Sequence, residues 1–174
     1  GADVTIAVAD LEANATRGYS LAECRKVALE EYVANYVAMG LDPERTNIYF
    51  QSMRPIVQRM GFTLGKRTNL SEFEAIYGFQ GDTNLAHVQA PLVQAGDILH
   101  PQLEEYGGLR PIVVPVGVDQ DPHLRLCRGL AGKTNWFNVN FKKVGYKKNY
   151  KLESLISNLS DNGILFFPLF KDKS

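Results

Sequence analysis

Pro111-Ile-Val-Val-Pro-Val-Gly-Val-Asp-Gln-Asp-Pro-His-Leu-Arg-Leu126 decides how the rest of the chain is read. Ile112 to Val118 is an apolar run with the length and β-branched content of a strand buried on both faces. The run breaks at Asp119-Gln120-Asp121-Pro122, and Leu124, Leu126 and Leu130 then begin a second apolar rhythm. Asp121 suits an N-cap and Pro122 the first helical position, where its missing N–H costs nothing. The pattern predicts strand, tight turn and helix, with Gly117, Asp119 and Gln120 at the strand's carboxyl end. In open α/β sheets ligands bind in that crevice. An ordinary β–α turn fits the same spacing.

Working outward, Val4 to Val8 reads as another buried strand, followed by Asp10 and Glu12 at its carboxyl end. Ser20-Leu-Ala-Glu23 is a capping-box pattern opening a helix that runs to about Met39. Leu21, Cys24, Ala28, Tyr32 and Tyr36 form its apolar stripe, which predicts core packing for the tyrosines, and Gly40 fits a C-cap. Asn47-Ile-Tyr-Phe-Gln51 predicts a strand. Thr46 to Met53 resembles a protease recognition sequence, but the flanking residues continue the same pattern, so it is read as native. Residues 53–80 predict helical pieces with turns at Gly61 and Gly65, Lys66 and Arg67 in a solvated loop, and a short helix from Ser71. Asn84 to Leu99 predicts a helix that Pro91 should kink or divide. Within it Gln94 and Asp97 stand i,i+3 and share a face with apolar neighbours, where polar groups need partners.

At 174 residues, 45% hydrophobic and 22% charged, the chain suits one globular domain. No apolar run approaches the roughly 18 residues a membrane span needs, and no basic-then-apolar leader is present, so a cytoplasmic protein is expected. Cys24 and Cys127 fit no metal spacing and read as reduced thiols; the three histidines form no ligand set with them, so no structural metal is expected. Residues 1–133 carry 12 Lys/Arg against 16 Asp/Glu, whereas residues 134–174 carry 7 against 3, all of them lysines. That balance excludes a histone-like nucleic-acid binder and leaves room for a local basic contact.

Gly117-Val-Asp-Gln-Asp-Pro-His-Leu-Arg-Leu126 strongly resembles the Gly/Ala-x-Asp-Gln segment of the tryptophanyl-tRNA synthetases, class I aminoacyl-tRNA synthetases. Ile6-Ala-Val-Ala-Asp-Leu-Glu-Ala13, Ile76-Tyr-Gly-Phe-Gln-Gly-Asp-Thr-Asn84 and Val93-Gln-Ala-Gly-Asp-Ile-Leu99 agree in order and spacing with the archaeal branch. The resemblance covers residues 1 to about 131. It implies an α/β fold, a Rossmann-like parallel sheet with helices on both faces, as an incomplete class I catalytic domain. Residues 1–133 would be the catalytic portion, and residues 134–174 a Lys/Asn-rich extension packed on it, with a helix over 151–162 and a strand over 164–170.

By that resemblance Glu12 meets the ammonium group of tryptophan, and Gln94 and Asp97 form the wall that reads the indole N–H. Gln120 also belongs to the amino-acid site, and Gly117 and Asp119 to the ATP ribose site. No catalytic residue is assigned, and Asp10 is read as structural. Magnesium-bound ATP is the implied co-substrate, tRNA-Trp the implied partner, and a homodimer the implied assembly of the full enzyme. Two family signatures, an early His-x-Gly-His and a late Lys-Met-Ser-Lys-Ser, do not occur in the 174 residues. The chain is therefore expected to be the middle of a catalytic domain. The sister enzyme for tyrosine and a non-catalytic binding module are the alternatives; Ile76-Tyr-Gly-Phe79 and Asp121-Pro122 favour tryptophan over tyrosine.

Overall fold

The computed structural model describes residues 3–108, 112–134 and the backbone of 164 and 165. Two compact units divide the chain, residues 1–97 and residues 98–174. Most of the extension, including the helix expected over 151–162, lies outside the described residues.

In the first unit β1 (Val4–Val8) and β2 (Thr46–Phe50) pair in parallel, from Val4 opposite Thr46 to Val8 opposite Phe50. Parallel neighbours require a crossover, and the helices between them supply it. The burial expected of β1 is not observed: Val4, Thr5 and Ala7 are exposed and Ile6 and Val8 half-buried. Among the described residues β1 pairs with β2 alone, so its faces are only partly covered.

Helix α1 (Asp10–Arg17) follows β1 directly. Helix α2 (Leu21–Val27) opens with the expected capping box. Ser20 Oγ accepts from the Glu23 N–H at 3.2 Å, and Glu23 Oε2 accepts from the Ser20 N–H at 2.8 Å. The Ser20 hydroxyl, donating to Glu23 Oε2 at 2.7 Å, and then the Ser20 N–H hold the Glu23 carboxyl below its usual range. A π-helical stretch, Ala28–Val33, then leads into α3 (Ala34–Ala38). The stretch explains why the tyrosine stripe fails: Tyr32 is 53% and Tyr36 37% exposed. In a π turn the i→i+5 bond turns each residue through a smaller angle. The inward position after Cys24 and Ala28 therefore passes to Val33, and both tyrosines swing outward. Gly40, at φ +100°, ends the helix as a Schellman motif, with Leu41 N–H on Tyr36 O and Gly40 N–H on Val37 O.

Gly61 does not make the expected turn. It lies inside α4 (Pro55–Leu64), where a Cβ would stand 2.9 Å from the Leu92 carbonyl oxygen of α6 (Leu85–Leu99). Gly96 faces the Val57 carbonyl in the same way. The missing side chains let the two helix backbones meet, and the core of Tyr49, Val57 and Val93 forms beside that contact. Between them, α5 (Leu70–Tyr77) is capped by Asn69, while Lys66 and Arg67 are exposed. Pro91 does not divide α6, whose 15 residues are continuous. One lost backbone bond is small against the rest of the helix, and Pro91 is buried.

In the second unit β3 is short, Ile112–Val113, and pairs in parallel with β4 (Ile164–Leu165). Residues 112–117 alternate half-buried and exposed, so this run is covered on one face, not two. Helix α7 (Asp121–Gly132) buries Leu124, Leu126, Cys127 and Leu130. Asp121 is its first residue and not its N-cap. The 3₁₀ turn Val118–Gln120 already places Gln120 in helical geometry, and the Asp121 carboxylate pairs with Arg125 at 2.6 Å. Both cysteines are free and buried, and burial pushes the Cys127 thiol up to about 12.

Candidate functional site

Asp97 lies one turn beyond Gln94 on α6, and both are half-buried. Its carboxylate is held by Tyr49 of β2 and by Gln51, the first residue of the 3₁₀ turn that follows the strand. Tyr49 OH donates to Oδ1 at 2.6 Å, and Gln51 Nε2 donates a short bond to Oδ2. The alternation of a strand explains the pairing, since residues two apart point the same way. Tyr49 is buried against Val57 and Val93, with the Arg54 guanidinium over its ring at 3.9 Å. Burial raises the Asp97 pKa to about 6. The bonds from Tyr49 and Gln51 and the charge of Arg54 pull it down, and the charge of Glu12 pushes it up. Glu12 thus acts on Asp97 through its charge, and Gln94 shares the helix of Asp97.

Neither Tyr49 nor Gln51 was singled out from the sequence, where Gln51 read as the last residue of a strand. The structure gives Gln51 a different character. It is 1% exposed, and its Oε1 is buried with no hydrogen-bond partner among the described residues. Sequence spacing carried no signal for it, because Asp97 is 46 residues away.

A second network fixes the same corner. Asp10, 1% exposed at the start of α1, accepts from the Ser52 N–H at 3.0 Å, from the Ser52 hydroxyl and from Arg25 Nε at 3.2 Å. Arg25 Nη2 also donates to Ser52 Oγ at 2.7 Å. The carboxylate thereby ties the end of β1 to the residue after Gln51, the structural role expected of it.

In the second unit Gly117, Asp119 and Gln120 stand on one tight turn. Gln120 N–H donates to Gly117 O at 3.1 Å, and Gln120 Nε2 donates to Asp119 Oδ2 at 2.9 Å. The Asp119 carboxylate folds back over Gly117, and a Cβ at 117 would meet only the tip of that exposed side chain. The turn is exposed at Gly117 and Asp119 and half-buried at Gln120. A hydroxyl-rich ligand could use such a carboxylate as a hydrogen-bond acceptor.

Known proteins with the same arrangement are informative. The chain is 54% identical over 142 residues to a tryptophan–tRNA ligase of Thermoplasma acidophilum, covering 82% of this chain and 33% of that protein. A tryptophan–tRNA ligase of Methanocaldococcus jannaschii is 51% identical over 137 residues, covering 78% and 37%. The crystal structure of tryptophanyl-tRNA synthetase from Aeropyrum pernix superimposes with a TM-score of 0.71 at 48% identity, over 76% of this chain and 36% of that one. A tryptophanyl-tRNA synthetase from Encephalitozoon cuniculi bound to tryptophan gives a TM-score of 0.66 at 25% identity, over 74% and 38%. The fold matches part of the Rossmann-like α/β catalytic domain of these enzymes. The chain spans about a third of the length of the curated relatives it matches. The model of the family described as tRNA synthetases class I (W and Y) matches residues 1–154, and the chain belongs to that family.

Proposed function

We propose that this chain supplies the amino-acid pocket and part of the ribose site of a cytoplasmic tryptophan–tRNA ligase. In that reaction the tryptophan carboxylate attacks the α-phosphorus of ATP, pyrophosphate leaves, and the adenylate passes tryptophan to tRNA-Trp. The observation that carries the reading is the Asp97 carboxylate, half-buried on α6 and fixed by two donors, with the charge of Glu12 acting on it. Tryptophan brings the two complementary groups, an ammonium and one ring N–H. Glu12 takes the ammonium, where partial exclusion of water strengthens the attraction. Asp97 takes the indole N–H, with Gln94 a turn away on the same helix; Gln120 is assigned to tryptophan on the family resemblance alone.

Gly117 and Asp119 are assigned to the ribose of ATP. What supports the assignment is the family resemblance together with an acceptor carboxylate exposed on the turn. ATP enters with its magnesium ion as co-substrate, which supplies charge neutralisation at the phosphates when bound; the residues of this chain bind and orient. A homodimer is the proposed assembly of the whole enzyme.

Calorimetric titration with tryptophan, tyrosine and a non-hydrolysable tryptophanyl-adenylate analogue tests the reading. Tryptophan and the analogue should bind, tyrosine should bind at least about 10-fold more weakly, and Glu12→Gln should weaken tryptophan. Tighter binding of tyrosine would move the assignment to the sister enzyme. ATP–pyrophosphate exchange by these 174 residues should be slight, because neither triphosphate signature occurs in them. No binding of either amino acid would defeat the pocket.

A further inference from the structure

We propose that Tyr49 and Gln51 are the positioning residues of the amino-acid pocket, holding the Asp97 carboxylate in one orientation and in its charged form for the substrate N–H. The inference rests on the reading of Asp97 as the indole acceptor and extends it to two side chains that approach from a different element.

The geometry is that of a clamp with one jaw on each oxygen. Tyr49 donates to Oδ1 and Gln51 to Oδ2, so rotation of the carboxylate about its last bond breaks both contacts. Each jaw is itself immobilised. Tyr49 is gripped by Val57 and Val93 and covered by Arg54. Gln51 sits beside Ser52, which Asp10 and Arg25 bind from the end of β1, and Gln58 Nε2 donates to the Gln51 carbonyl at 3.2 Å. A site works only if the groups touching the ligand are held by a rigid supporting layer, and these contacts provide one.

Stability alone does not account for Gln51. A buried amide with an unsatisfied Oε1 costs the fold, and an aliphatic side chain of the same shape would avoid that cost. Places where a chain breaks a local rule without a structural gain are commonly functional sites. What the amide provides is its Nε2 bond to Asp97. The charges facing Asp97 come from three directions: Glu12 on α1 disfavours its ionised form, Arg54 favours it, and Tyr49 and Gln51 favour it by hydrogen bonding. Against the burial that drives Asp97 towards neutrality, the two donors keep it an acceptor at neutral pH. A protonated Asp97 would be a weaker, uncharged acceptor for an incoming N–H.

The test is an NMR titration of the chain labelled with ¹³C at aspartate Cγ, for the wild type, Tyr49→Phe and Gln51→Met, paired with calorimetry of tryptophan. Each substitution should move the Asp97 midpoint upward by about 1 pH unit and weaken tryptophan about 10-fold at pH 7, with part of the loss recovered at pH 8.5. Gln51→Met should unfold at the same or a higher urea concentration than the wild type, a result that a purely structural glutamine would not give. An Asp97 midpoint unmoved in both variants overturns the clamp. If Gln51→Met does not fold, Tyr49→Phe, which keeps the buried ring, decides alone. The pocket reading fails separately, if tryptophan leaves the wild-type Asp97 signal unmoved.

Discussion

Replacing Asp97 by Asn should make the protein more stable and a worse binder at neutral pH. The wild-type carboxyl has its pKa raised from 3.8 to about 6, chiefly by burial. Its folded form therefore holds a proton more tightly than its unfolded form. The associated stability is fully present below pH 3.8, is lost as pH rises through about 6, and is absent at pH 7. A shift of that size corresponds to about 3 kcal/mol at most. Asp97 keeps some contact with solvent, so the realised figure is nearer about 1–2 kcal/mol.

Asparagine carries no charge at any of these pH values. Its Oδ1 can accept from Tyr49, and rotation of the Gln51 amide presents Oε1 to the new Nδ2. That rotation exchanges which Gln51 atom lacks a partner, so the hydrogen-bond balance stays near even. Urea unfolding followed by circular dichroism should show D97N more stable by about 1–2 kcal/mol at pH 7 and equal to the wild type near pH 4. Tryptophan affinity at pH 7 should fall about 10-fold or more, because a charge-assisted acceptor has been removed. A pH-independent difference, or a D97N protein less stable at pH 7, would refute the assignment of burial as the dominant influence on this carboxyl.

Two further outcomes follow from the packing. Gly61→Ala places a methyl group 2.9 Å from the Leu92 carbonyl, and the resulting shift of α4 against α6 should cost about 1–3 kcal/mol in urea unfolding and weaken tryptophan by displacing Val93 and Asp97; unchanged stability would mean that the helices separate freely. Cys127, buried and with its thiol pushed up to about 12, should resist iodoacetamide in the native protein at pH 8 and react once urea unfolds it; rapid native labelling would contradict the packing of α7.

What could be read from the sequence was local. The capping box at Ser20 and Glu23, the glycine terminator at position 40 and the span of α6 each depend on residues within a few positions of one another, and each was found where the pattern put it. The failures share a different cause. A 3.6-residue stripe through Tyr32 and Tyr36 assumes an uninterrupted α-helix, and a single π-helical stretch transfers the inward position to Val33. An apolar run at 112–118 gives length and propensity but not the number of faces that neighbours cover. Gly61 punctuates many turns, yet here its lack of a side chain serves a helix contact with residue 92.

The candidate site divides along the same line. Glu12, Gln94 and Asp97 are proposed because a family pattern marks them, whereas Tyr49 and Gln51 meet Asp97 across 48 and 46 residues of chain. Their partnership is produced by the crossover that sets β2 beside β1 and by the glycine contacts that bring α6 against α4. Those glycines, Gly61 and Gly96, are thus as much a condition of the pocket as the polar groups themselves. A bulkier residue at either would move the helix carrying Asp97 away from a tyrosine that the core holds still, and the carboxylate would lose one of its two donors before any residue of the network had changed.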